Sequence, residues 1–119
     1  MPTREEPRIS EAPLITLFGS RSAYQVLMFI ENYGQGYAGE IARTFGMSLS
    51  QVQNQLRKFE ETGLLVSRMT GSTRMYYFNR NPVADDLRKF LRSNLERLPE
   101  DTLQSYYRSR RRPRRPGKR

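Results

Sequence analysis

Hydrophobic positions along this chain fall into a run of short periodic segments separated by glycine, proline and serine. Leu14, Ile15, Leu17 and Phe18 form a first apolar piece that reads as one or two helical turns ending at Gly19, a residue suited to a helix C-cap. Ser20 or Ser22 can cap the next helix. Its apolar residues, Ala23, Val26, Leu27, Phe29 and Ile30, recur at helical spacing and predict a helix over 22–33. Gly34 and Gly36 then punctuate the chain. A short helix over 40–45 turns Ile41, Ala42 and Phe45 inward, and Gly46 breaks it. Ser48 caps a third helix, over 48–62, whose inward residues Val52, Leu56 and Phe59 stand at i, i+4 and i+7, with Gly63 as its end.

The period then changes. "LLVSRM" and "RMYYFN" flank the turn-like "TGST", which predicts a β-hairpin over 64–79. Pro82 suits the first turn of a helix. Val83, Leu87, Phe90, Leu91, Leu95 and Leu98 follow at spacings of three and four, predicting a helix over 82–98 that Pro99 ends. Residues 101–108 read as one more short helix. The order is helix, short helix, glycine turn, helix, hairpin, long helix. It defines a mainly α fold with a small β-hairpin wing, the winged helix-turn-helix. Residues 1–10 read as a disordered N-terminal arm, 11–98 as the folded domain, and 99–119 as an extension ending in a basic, disordered tail.

Against this outline the chain resembles the ArsR-like winged-helix transcription regulators over 14–98. The carriers are "LFGS" ahead of the first long helix, "EIARTFGMSLSQVQNQL" across the helix-turn-helix, "EETGLL" at its exit and "RMYYFN" leaving the wing. The resemblance implies a DNA-binding transcription regulator, and the element order with the outer face of the third helix favours a homodimeric repressor. It departs from the family at Ala23, where an arginine is frequent. It also departs at the metal-sensing positions, because the chain has no cysteine and no histidine. Metal sensing is therefore not carried over, no cofactor is implied, and the effector, small molecule or protein, is left open.

Charge changes the picture in an unexpected way. The net charge is +9, which favours an anionic partner. Eight of the cations lie in residues 108–119, where there is no acid, so removing them leaves +1 for the first 107 residues. Basicity is thus a property of the tail. The tail can grip phosphates or serve as a solvated segment that binds other acidic surfaces. The third helix must argue for DNA by its side chains alone. With its apolar triad inward, Ser50, Asn54 and Arg57 face outward, flanked by Gln51, Gln53 and Lys58, with Ser48 at the cap. Amides suit adenine edges, arginine suits guanine, and serine and lysine suit phosphate. The same face could be ordinary solvated surface; the helix-turn-helix before it and the hairpin after it favour double-stranded DNA. Residues 47–59 contain no acid, so nothing there repels phosphate.

Arg68, Thr73 and Arg74 sit around the hairpin tip, where they can meet the minor groove or phosphates, or simply keep a sheet edge soluble. Leu14, Ile15, Leu17 and Phe18, with Val83, Leu87, Phe90, Leu91, Leu95 and Leu98, exceed what a small three-helix core can cover. They are assigned to a homodimer interface, with packing inside one chain as the alternative. Enzyme readings fail. Asp85 and Asp86 diverge on a helix, and there is no nucleophile–base pair and no phosphate-binding glycine loop. No apolar run could span a bilayer, and residues 1–10 lack a signal-peptide pattern, so a cytoplasmic location is expected. The alternative function is a winged-helix module that binds protein or coats nucleic acid without sequence choice, with affinity from the tail.

Overall fold

A computed structural model describes residues 8–108. The arm before Arg8 and the tail after Arg108, both expected to be disordered, lie outside the described residues. Six α-helices, a two-stranded hairpin and a terminal π-helical turn follow in order: α1 (Ala12–Phe18), α2 (Arg21–Tyr33), α3 (Ala38–Phe45), α4 (Leu49–Glu61), β1 (Leu65–Thr70), β2 (Thr73–Phe78), α5 (Pro82–Leu95), α6 (Glu100–Thr102) and a π-helix over Leu103–Tyr107.

The predicted elements are present, but α2 is not the one-sided amphipathic helix its pattern suggested. Every residue from Ser22 to Glu31 is buried. The helix is the hub of the fold, packed by α1, α3, α4, α5, β2 and the π-helical turn. Its polar residues survive burial by finding partners. Ser22 Oγ accepts from Gln55 Nε2 of α4 at 3.2 Å, and the Tyr24 hydroxyl donates to Glu11 Oε2 at 2.8 Å. Glu31 accepts from Arg88 Nε and Arg92 Nη2 of α5. Ser20, rather than Ser22, is the cap, its Oγ accepting from Ala23 N.

The hairpin is antiparallel, with Leu65 opposite Phe78 and Thr70 opposite Thr73. Its turn is therefore only Gly71 and Ser72, with Gly71 in the left-handed region that short hairpin turns require. The other edge of β2 carries a pairing that the periodicity did not predict. Gly36 and Tyr76 exchange backbone hydrogen bonds of 3.1 and 2.8 Å. This bridge ties the α2–α3 connection to the wing. It also needs glycine, since a Cβ there would lie 2.9 Å from the Phe29 ring and 3.1 Å from Ile41 Cδ1.

Two expectations are corrected at the chain ends. Residues 8–10, assigned to the disordered arm, are held: Ile9 N donates to Arg97 O at 2.7 Å, and Arg8 Nη1 to Glu96 O at 2.7 Å. Ile9 also packs against the core, but a single apolar residue was too sparse a pattern to signal this. The boundary at 98 also fails, since Leu103 and Tyr107 belong to the core.

The long helix ends at Leu95, and Leu98 turns back into the core. Leu14, Leu91, Leu95 and Leu98, expected at a dimer interface, are instead buried within the single chain, because the α2 hub offers them a surface. Leu17 (65% exposed), Val83 (72%) and Phe90 (39%) remain at the surface, with Ile15, Phe18 and Leu87 half-buried beside them.

Candidate nucleic-acid interface

The helix-turn-helix is built from α3, a left-handed Gly46 and α4. Met47 N bonds back to Ala42 O at 3.0 Å, closing the end of α3. Ser48 then opens α4, its Oγ accepting from Gln51 N at 3.2 Å. Val52 and Leu56 are buried and Phe59 half-buried, so the predicted rotation of α4 holds. Ser48, Ser50, Gln51, Gln53, Asn54, Arg57 and Lys58 are all exposed. Arg57 Nη1 donates to Asn54 Oδ1 at 3.0 Å, one turn earlier. Each of these two side chains restrains the other, which lowers the entropy a base contact would cost.

The structure divides the residues assigned to DNA into three groups. Ser48 at the cap, with Ser50, Gln51, Asn54 and Lys58, stands on the open side of α4. Gln53 and Arg57 turn toward the wing and, with Glu60, Thr73, Arg74 and Tyr76, line a cleft of about 640 Å³ between α3, α4 and the hairpin. Arg68 belongs to neither group. In this register it shares the opposite hairpin face with Met75 and Tyr77, and its guanidinium lies 5.0 Å from the Tyr77 ring centre. The two wing arginines therefore point to opposite sides and cannot grip one phosphate together.

Arg74 is already engaged. Its Nη1 donates to Ser67 Oγ at 2.9 Å, and that hydroxyl donates to Glu60 Oε2 at 2.6 Å. Glu60, in the last turn of α4, stands at the i+7 position from Gln53 and i+3 from Arg57, on the face that fronts the wing. That spacing was readable in the sequence; its relation to Ser67 was not. The cluster raises the Tyr76 pKa, chiefly by burial and then by the Glu60 carboxylate, with Arg74 and Arg57 opposing. Leu49 is a further residue that sequence reasoning passed over. It lies in the first turn of α4, is half exposed and lines the cleft, where an apolar contact to a thymine methyl is chemically apt.

No family model and no curated protein matches the chain. Solved structures do. A crystal structure of AntR, an antimony-specific transcriptional repressor, superposes with a TM-score of 0.50 at 18% identity, covering 79% of this chain and 82% of that one. The solution structure of apo-NmtR gives 0.52 at 22% identity over 95% and 93% of the two chains. A mutant of Lactococcus lactis ZitR in apo form gives 0.49 at 18% over 74% and 77%. The mostly helical body, the hairpin wing and the agreement with AntR and NmtR identify the fold as a winged helix-turn-helix.

Proposed function

We propose that the protein is a homodimeric, sequence-specific DNA-binding regulator that represses transcription by occluding a promoter. One observation carries the reading. The outer face of α4 from Ser48 to Lys58 is free of acids, rich in amides and exposed, and α4 is the second helix of a helix-turn-helix that a wing follows. Ser50, Asn54 and Arg57 read bases in the major groove, with Gln51, Gln53 and Lys58 at its edges. Arg74 supports from the wing once it leaves the Glu60 side, and Arg68 holds phosphate from the other hairpin face. The antimony specificity of AntR is not carried over, because this sequence lacks thiol and imidazole ligands.

The homodimer reading rests on Leu17, Val83 and Phe90, with Ile15, Phe18 and Leu87. These leave an apolar strip along α1 and α5, and the Phe18 and Phe90 rings lie 6.5 Å apart across it. A two-fold pair would present two α4 helices to half-sites about one helical turn apart.

The test is selection of bound fragments from the source genome, followed by Asn54→Ala and Arg57→Ala. Each substitution should cost about 1–3 kcal/mol of discrimination at one base position. An unchanged preference in both variants would remove α4 as the reading element.

A further inference from the structure

A second cleft, of about 500 Å³, lies between the hairpin, the end of α2 and α5. That volume is in the range of sites for small organic molecules. Three guanidiniums line it, from Arg68, Arg80 and Arg88, and no acid does. Two of them are held in place. Arg68 lies 5.0 Å from the Tyr77 ring centre, and Arg88 lies 5.8 Å from that of Phe78. Arg88 is fixed further by buried Glu31, which accepts from its Nε at 2.7 Å. This bond leaves both Nη groups of Arg88 for a ligand. Glu31 does not neutralise the cleft, because the same carboxylate also answers Arg92. Among the described residues, neither Arg68 nor Arg80 pairs with a carboxylate. The first 107 residues carry a net charge of only +1, so three cations around one cleft are a local concentration rather than a background. The rest of the wall is apolar: exposed Val66 stands opposite Tyr77 in the hairpin, with Phe78 beside it.

We infer that this cleft binds a small organic phosphate monoester, with the phosphate on Arg68, Arg80 and Arg88 and the organic body on Val66, Tyr77 and Phe78. A phosphomonoester offers three strong acceptor oxygens and about two negative charges at neutral pH. Three guanidinium forks match that group better than they match the two oxygens and single charge of a carboxylate. Occupancy has a consequence for DNA. Arg68 is assigned above to a DNA phosphate, and a monoester that engages Arg68 competes with that phosphate, so the ligand weakens DNA binding. This second step rests on the DNA-binding reading above; the binding step does not.

Phenyl phosphate is the probe, titrated calorimetrically into the full chain at constant ionic strength, with benzoate and inorganic phosphate as comparisons. One molecule per chain should bind, more tightly than either comparison. Arg68→Gln and Arg80→Gln change exposed side chains, and each should weaken binding by about fivefold or more. Arg74→Gln, on the other hairpin face, should leave it unchanged. Absence of saturable binding, or equal binding by all four proteins, overturns the site. Benzoate or inorganic phosphate bound as tightly as the probe overturns the ligand class. The second step is read on a selected DNA fragment. Phenyl phosphate should lower the affinity of the unaltered chain and act less on Arg80→Gln, while Arg80→Gln alone should keep the salt slope. A slope lower by about 1 in Arg80→Gln assigns the cleft to the DNA backbone and overturns the small-ligand site. Bound phenyl phosphate with unchanged DNA affinity overturns the competition at Arg68. If no fragment is bound, the DNA reading and the competition both fall, and the titration still decides the cleft.

Discussion

Stripping Glu31 of its partners tests how α5 is fixed to the hub. Glu31 ends the buried run of α2, with 1% of its side chain exposed. Its two oxygens are divided between Arg88 and Arg92, which stand one turn apart on α5 and are 46% and 58% exposed. That asymmetry sets the expected costs. An arginine that loses Glu31 can turn to water, whereas a carboxylate that loses both arginines stays dry and charged. The double change Arg88→Met with Arg92→Met keeps most of the aliphatic packing and leaves the charge uncompensated, at a cost of about 3–5 kcal/mol. Either single change leaves one charge-assisted bond. It should cost about 1 kcal/mol, below the usual value for such bonds because the half-exposed partner is already hydrated. The double change should therefore exceed the sum of the singles by at least about 1 kcal/mol. Urea denaturation followed by circular dichroism measures all three. If the double variant loses less than about 1 kcal/mol, or the singles simply add, the buried carboxylate does not depend on this pair and the reasoning is wrong.

Gly36→Ala should destabilise by about 1–3 kcal/mol, since its methyl would press on Phe29 and Ile41 in the core; an unchanged melting temperature would mean that ring gives way freely. Burial, reinforced by the Glu11 carboxylate, pushes the hydroxyls of Tyr24 and Tyr107 far above the usual tyrosine range. Their contribution to stability is complete below about pH 10, the unfolded value, and is lost as pH rises beyond it. In an ultraviolet titration these two tyrosines should ionise only with alkaline unfolding, and early ionisation of all seven in the folded chain would contradict the packing. Val83→Glu with Leu17→Glu should convert a dimer into a folded monomer in sedimentation, with little change in melting per chain, because both positions are exposed within one chain; retention of the dimer would place the interface elsewhere.

Most of the fold was legible because its signals are local. Ser48, Gly46, Gly34, Pro82 and the 3.6-residue stripes announce caps and faces without knowledge of the rest of the chain. What was missed depends on partners distant in sequence. Gly36 looked like punctuation, and its pairing with Tyr76 appears only when the wing folds back onto α2. The sequence puts Arg68 and Arg74 around the hairpin tip, but "TGST" leaves the register, and so their faces, open. A two-residue turn puts Arg68 opposite Met75, and Arg74 opposite Met69, which fixes them on opposite faces. One more turn residue would have placed them together. The rotation of α4 was fixed by Val52 and Leu56, so its outward residues were correctly placed; the involvement of Glu60 depended on Ser67, a serine with no signal of its own.

The apolar stripe of α5 shows where such reading stops. Spacing alone assigns Val83, Leu87, Phe90, Leu91, Leu95 and Leu98 to one apolar set, and nothing in the pattern tells which neighbour will cover it. The structure splits the set by depth. Leu91, Leu95 and Leu98 go inward because α2 is buried on all sides and its apolar residues need covering, while Val83 and Phe90 stay exposed. A helix buried all round creates demand for apolar residues that its own sequence conceals, since its polar members Ser22, Gln25 and Glu31 make it look amphipathic. Clamping by Arg88 and Arg92 then settles which face of α5 turns to the hub. The residues left outside are fewer than the pattern implied, so a two-fold interface here needs α1 to contribute Leu17 and Phe18. This joins the fate of the first helix to that of the fifth, and a change that loosens α5 from α2 should weaken dimer and DNA affinity together.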